Sequence, residues 1–282
     1  MRFATIKSLL DFAQHKNIAL GAYPANNWET ARAAVLAGNE LNTPIIFIAG
    51  KDLIDYFGGD FVTYVKLLEL ACQDATVPVC LHLDHSTSYE DCCMAINAGF
   101  SSVMIDGSAL SFEENVKLTR KVVDFAHPLG VSVEGELGRL KGEEGDLKVV
   151  GANASQTDPE LARLFVEQTG IDCLAVSIGN QHGTYIAAPQ LNIKLLKEIN
   201  KVVSCPIVLH GGSGTPIDQV HEAIRNGVVK INVVTDIWTA MIDQFEADKK
   251  KESFKYNINA FISSLNAGKE VIKFKMKAFM EK

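Results

Sequence analysis

The chain runs to 282 residues, 47% of them hydrophobic and 22% charged, the balance of a globular protein with a sizeable core and not of a disordered one. A formal charge of -7 argues against a nucleic-acid partner, because a surface that neutralises phosphates carries an excess of Lys and Arg. No apolar stretch reaches the ~20 residues that cross a bilayer, and the opening Met1-Arg2-Phe3-Ala4-Thr5-Ile6-Lys7 lacks a leader's apolar core and cleavage site, so a cytoplasmic protein with no membrane partner is expected.

In chain order, short runs rich in β-branched residues alternate with longer amphipathic ones. Strands are expected at Ile18 to Tyr23, Pro44 to Ala49, Val77 to His85, Ser102 to Asp106, Val131 to Leu137, Cys173 to Gly179, Pro206 to His210 and Val229 to Val234. Helical spacing fills Asp91 to Ala98, Phe112 to Ala126, Pro159 to Thr169, Leu191 to Val202 and Ile217 to Asn226. Gly99, Gly130, Gly170 and Gly227 follow helical patterns and suit the left-handed residue that ends a helix. With no hairpin signal among them, strands separated by helices run parallel through right-handed crossovers. Eight such units in a chain of this length point to an α/β protein, a (β/α)8 TIM barrel that is one domain over residues 1–282 with a C-terminal helical extension. A doubly wound open sheet is the alternative.

Beyond Asp236 the chain turns helical and Lys-rich, and in Lys269 to Lys282 the apolar residues Val271, Ile272, Phe274 and Met276 alternate with lysines. That is the pattern of an amphipathic helix packed on the barrel or on a subunit partner. Cys72, Cys80, Cys92, Cys93, Cys173 and Cys205 lie in apolar segments without metal-ribbon spacing and are expected as core thiols.

Three of the strand-like runs deliver a histidine at or just beyond their C-terminal end: His85 after Leu81-His82-Leu83-Asp84, His182 after Ala175-Val176-Ser177-Ile178-Gly179, and His210 after Pro206-Ile207-Val208-Leu209. In a parallel barrel those ends converge, and three imidazoles form a ligand set for a divalent metal with a position open to substrate. His15, His127 and His221 sit in helical patterns and read as packed surface or core residues, while His82 stays undecided. Asp84 beside a ligand either orients a histidine or serves as a general acid/base. Glu134 and Glu136 share one side of the fifth strand, and Glu136 lies nearer the mouth. The loop Lys141-Gly142-Glu143-Glu144-Gly145-Asp146 is a charged turn hinged by glycines, able to bring a carboxylate to the mouth. Gly211-Gly212-Ser213-Gly214 after the seventh strand, with Gly183, Asn232 and Thr235 at the same mouth, suits a phosphate, because glycines let backbone N–H groups approach an anion.

These segments resemble one family over most of the chain, the class II, zinc-dependent ketose-bisphosphate aldolases of fructose- and tagatose-bisphosphate type. The carriers are Leu83-Asp84-His85, 99–108 (Gly-Phe-Ser-Ser-Val-Met-Ile-Asp-Gly-Ser), 132–138 (Ser-Val-Glu-Gly-Glu-Leu-Gly), Ile178-Gly179-Asn180-Gln181-His182-Gly183, Leu209-His210-Gly211-Gly212-Ser213-Gly214 and Lys230-Ile231-Asn232-Val233-Val234-Thr235. The resemblance implies Zn2+ held by His85, His182 and His210, with Glu136 as a transient second metal position. It implies that Asp84 exchanges a proton with the C4 hydroxyl and Glu144 with C3. Gly183, Gly211, Gly212, Ser213, Asn232, Val233, Val234 and Thr235 would bind the phosphorylated three-carbon half of the substrate, with a monovalent cation beside the phosphate. The implied reaction is reversible cleavage of a ketose 1-phosphate or 1,6-bisphosphate, a small-molecule sugar phosphate of carbohydrate metabolism, into dihydroxyacetone phosphate and an aldehyde, in a homodimer or homotetramer.

The pattern departs from the family at the other half of the substrate. Pro24 stands where many relatives have Asn, Gly50 where they have Ser, and Lys255-Tyr256-Asn257-Ile258-Asn259 where they carry Asp-Pro-Arg. Lys249, Lys250, Lys251 or Lys255 could replace that arginine's charge but not its fork. A Schiff-base aldolase using Lys230, a metal-dependent hydrolase and a noncatalytic sugar-phosphate binder remain the competing readings.

Overall fold

Eight parallel strands close on themselves in the order Leu20–Pro24, Val228–Asn232, Ile207–Leu209, Cys173–Val176, Ser132–Leu137, Ser102–Ile105, Val79–Ser86 and Ile45–Ala49. The computed structural model describes residues 3–138, 155–181, 189–251 and 257–281, with the backbone of 142–144 and 147–149. The barrel strands are β1 (Leu20–Pro24), β2 (Ile45–Ala49), β3 (Val79–Ser86), β4 (Ser102–Ile105), β5 (Ser132–Leu137), β8 (Cys173–Val176), β9 (Ile207–Leu209) and β10 (Val228–Asn232). Around them lie α1 (Ile6–Lys16), α2 (Trp28–Leu41), α3 (Lys51–Tyr56), α4 (Phe61–Ala71), α5 (Tyr89–Ala98), α6 (Phe112–Ala126), α7 (Pro159–Thr169), α8 (Ile193–Val202), α9 (Ile217–Arg225), α10 (Thr235–Lys249) and α11 (Asn257–Met280). All eight expected strands form, and the architecture is the (β/α)8 barrel.

Alternation along each strand builds two cores. Leu20, Ala22, Ile46, Ile48, Cys80, Met104, Cys173, Ala175 and Val208 fill the barrel interior, whereas Tyr23, Phe47, Leu81, Leu83, Val103, Val133, Leu174 and Ile231 pack outward under the helices. Ile6, Leu9, Leu10 and Ala13 of α1 join the interior cluster, so this helix stoppers the end at which the strands begin. Thr5 caps it with its side chain on Ser8 N. The opposite end, where the strands finish, is left for the site. Gly99, Gly130 and Gly170 end their helices with φ of 116°, 73° and 71°, while Gly227 follows the cap of α9 with φ 104°.

Four details refine the sequence reading. A two-stranded antiparallel hairpin, β6 (Gly142–Glu144) with β7 (Leu147–Val149), occupies the charged loop. Strands of three residues with Glu, Glu and Lys carry too little apolar alternation to announce themselves. β8 stops at Val176 and not Gly179, where Gly179 turns at φ 100°. The C-terminal helix α11 begins at Asn257, packs on α2 and α10, and buries Ile272, Met276 and Phe279 while Phe274 faces outward. All six cysteines are free thiols, with Cys93 and Cys205 only half-buried. Among the described residues no helix is long and apolar enough to cross a membrane.

Candidate active site

Asp84 and His85 reach the mouth together because β3 breaks its alternation. Neighbours in a regular strand face opposite sides. His85, however, has φ 46°, and the β3–β4 register shifts between Leu83 and Ser86, a bulge that re-aims the histidine. Asp84 is buried and accepts hydrogen bonds from Asn232 Nδ2 at 3.1 and 3.4 Å. Burial works against its ionisation, but the positive neighbours His85 and Lys230 and the hydrogen bond from His82 hold the carboxyl well below the usual range. Asp84 is therefore an acceptor, available as a base.

Both described metal-candidate histidines, His85 and His210, are gripped through one ring nitrogen by a carboxylate. His85 Nδ1 lies 3.1 Å from Asp106 Oδ2, whose other oxygen accepts from Ser108 N at 2.9 Å. His210 Nε2 lies 2.8 Å from Glu134 Oε1. Such partners fix the tautomer and turn the second nitrogen toward an ion. The rings stand 4.6 Å apart at 73°, and Glu136 Oε2 is 3.7 Å from both His85 Nδ1 and His210 Nδ1. Burial, with His85 nearby, pushes the His210 imidazolium down, favouring the neutral ring a metal requires.

Donor atoms of Asp84, His85 and His210 all lie within 4.8 Å of one another, as do those of His85, Asp106 and Glu136. Ligands of one zinc, each roughly 2.0–2.2 Å from it, stand about 3 to 4 Å apart, so the donor set fits a divalent ion of the nitrogen- and oxygen-binding kind. His182 and Gly183 lie outside the described residues, and Glu144 is described only as backbone of β6.

Lys230 is fully buried and bonded to Glu134 Oε2 at 2.8 Å. Burial alone would lower its pKa, but Glu134 and Asp84 raise it above the ordinary value. A Schiff-base nucleophile needs the opposite, a lysine readily deprotonated, so Lys230 is a structural cation beneath the site. His82, undecided from sequence, is buried between Ser102 Oγ at 2.8 Å and the carboxylates of Asp84 and Glu134, each 3.5 Å away.

The glycine loop and the start of α10 meet at Ser213. Gly211 and Gly214 have φ of 68°. A Cβ at Gly212 would lie 2.4 Å from Ile231 Cγ2 and 2.8 Å from Asn232 O, so only glycine fits there. The N–H groups of Gly212 and Val233 are donated to Asn232 O and Ala22 O. Ser213 Oγ accepts from both Val234 N and Asp236 N at 3.2 Å. With both hydroxyl lone pairs engaged, its proton is left to donate to a third group.

Further contributors hold the site from behind. Asn115 on α6 donates from Nδ2 to Glu136 O at 3.0 Å, and Asn180 Nδ2 donates to His210 O at 3.0 Å, each anchoring the backbone of a site residue. Asp106 and Asn180 stand within the quoted motifs, which was the available clue.

A closed (β/α)8 barrel with clustered histidines and carboxylates at the C-terminal ends of its strands is the arrangement of a metal-assisted enzyme. The family model for class-II fructose-bisphosphate aldolase matches residues 4–282, and the chain belongs to that family of carbon-carbon lyases. It is 40% identical over 282 residues to a fructose-bisphosphate aldolase of Staphylococcus epidermidis, covering 99% of this chain and 98% of the relative. It is 42% identical over 238 residues to one of Geobacillus stearothermophilus, covering 84% and 82%. Among solved structures, the YdjI aldolase from Escherichia coli K12 superposes with a TM-score of 0.85 at 36% identity, covering 98% of this chain and 97% of the other.

Proposed function

We propose that this class II aldolase uses zinc to split a ketose 1-phosphate or 1,6-bisphosphate reversibly into dihydroxyacetone phosphate and an aldehyde, in one catalytic domain spanning the chain. The observation that carries the reading is the pair of imidazoles, the half-buried His85 and the buried His210, each held by a carboxylate at 3.1 or 2.8 Å and flanked by Glu136. His182 completes the ligand set in this proposal, and Glu136 offers a second position. When bound, the metal supplies Lewis-acid stabilisation of the negative charge that develops as the C3–C4 bond breaks.

The chain's own groups do the rest. Asp84, kept ionised and oriented by Asn232, takes the proton from the C4 hydroxyl. The C3–C4 electron pair then moves toward the C2 carbonyl oxygen, and the aldehyde leaves. Glu144 returns a proton to C3 of the three-carbon fragment. Gly183, the 211–213 segment and residues 232–235 hold the phosphate, an assignment supported by the Ser213 hydroxyl, whose proton is left to donate, and by the N-terminus of α10 beside it. Self-association is supported by Trp238, Ile242, Phe261 and Ile262, exposed on α10 and α11.

Pro24 and Gly50 depart from the family pattern on the aldehyde side, and the 255–259 stretch lacks the arginine that many relatives offer the second phosphate. The 1,6-bisphosphate is therefore expected to hold little advantage over the matched 1-phosphate in kcat/KM. A coupled assay for dihydroxyacetone phosphate release, run on both substrate types before and after chelation, tests both halves. Activity lost on chelation and restored by zinc supports the metal. A thousandfold preference for the bisphosphate would mean that another group binds the second phosphate, and full activity in metal-free protein would overturn the assignment.

A further inference from the structure

We infer that Lys275, on α11, is a positioning residue for the phosphate corner, neutralising an Asp236 carboxylate that would otherwise oppose the substrate's phosphate. The inference rests on the phosphate role proposed for the 211–214 loop. Asp236 is the second residue of α10, and its Oδ2 accepts the Gly214 N–H at 3.3 Å. A backbone N–H of a glycine loop beside a helix start is what an oxyanion seeks, so a side-chain carboxylate already stands at the edge of the anion site. Uncompensated, it repels a second anion.

The Lys275 ammonium reaches that same oxygen at 2.6 Å, with its side chain only 7% exposed against 31% for the aspartate. The lysine thus reaches its partner from the protected side, where salt screens it little. Lys269 and Lys273, on the same helix, turn instead to Glu40, so the pairing with Asp236 is particular to Lys275. The Ser213 hydroxyl ties the same unit together through the N–H groups of Val234 and Asp236. The C-terminal helix therefore takes part in the charge balance of a corner whose other members come from β9, β10 and their loops. Charge compensation predicts something that mere packing does not: removing the aspartate's charge should repair loss of the lysine's.

The test is calorimetric binding of inorganic phosphate to the zinc-loaded enzyme, with kinetics on the ketose 1-phosphate that the wild type cleaves best. Lys275→Met, which keeps the aliphatic stem, should weaken phosphate about tenfold, the scale of one uncompensated charge near a partly solvated site, and raise KM in proportion with kcat little changed. The double variant Lys275→Met/Asp236→Asn should return to within about threefold of wild type if the charges balance each other. Unchanged phosphate affinity in Lys275→Met overturns the inference while leaving the cradle intact. Equal weakness in the single and double variants also overturns it, because the lysine would then be a packing residue only. A wild-type enzyme that binds no phosphate overturns the cradle reading itself, and the inference with it.

Discussion

Lys230→Met removes the only ammonium bonded to a carboxylate at the centre of the barrel among the described residues. Nζ and Glu134 Oε2 lie 2.8 Å apart with both side chains fully buried. Unit charges at that separation attract by about 6 kcal/mol at an effective dielectric of 20. Desolvation offsets much of this in the intact pair, but deleting one partner leaves the other buried and unmatched, which costs about 3–5 kcal/mol in comparable pairs. His210 Nε2 still bonds Glu134 at 2.8 Å, so the lower end, about 3 kcal/mol, applies. Neither side chain of the pair is exposed to solvent in the folded protein. The assay is urea unfolding of the metal-free proteins in a cycle of wild type, Lys230→Met, Glu134→Gln and the double variant. Methionine and glutamine preserve volume, so the double variant should lie closer to wild type than either single one, with a coupling of about 1–3 kcal/mol. Singles that add simply, or a Lys230→Met loss below about 1 kcal/mol, would refute the claim that the pair is mutually dependent.

Other expectations test the site directly. Asp84→Asn should retain metal by elemental analysis yet lose cleavage by at least the roughly 10²–10⁴-fold credited to acid/base assistance; an active variant removes Asp84 from the mechanism. Glu144→Ala should stop exchange of the C3 proton of dihydroxyacetone phosphate with deuterated water, while Glu143→Ala should not; the opposite pattern reassigns the base. Glu40 is held down to about 2, from 4.5, by hydrogen bonds from Lys269 and then Lys273. Its contribution to joining α2 and α11 is thus fully present above pH 4.5 and lost as pH falls toward 2. Melting of wild type and Glu40→Gln should differ at pH 6 and converge near pH 2; a gap that stays constant excludes the ionic link.

Much of this architecture was readable in the chain because each strand is a short apolar run at the right distance from the next, as in Pro206-Ile207-Val208-Leu209 before His210. His210 and the glycine loop stand out for the same reason, since they directly follow such a run. The wiring beneath them was not. Glu134 and Lys230 are 96 residues apart, and nothing within either strand reveals that barrel closure brings them together. Asn115 sits in an ordinary amphipathic helix, and its role exists only because α6 packs against the end of β5. Likewise, period-two alternation would have sent Asp84 and His85 to opposite faces, and only the backbone at His85 reveals why they share one.

That backbone also sets a limit on improving this enzyme. Besides His85, the described residues with positive φ that are not glycine are Asn17 and Asn42, both helix caps where the left-handed basin is familiar. For a histidine the basin costs about 1–2 kcal/mol. Glycine would remove that strain, so His85→Gly should outlast His85→Ala on heating, and neither would retain the imidazole. Stability and activity pull in opposite directions at this position. A thermostabilising search that rewards relaxed backbones would therefore select against the proposed metal ligand, and should be kept away from the bend between Leu83 and Ser86.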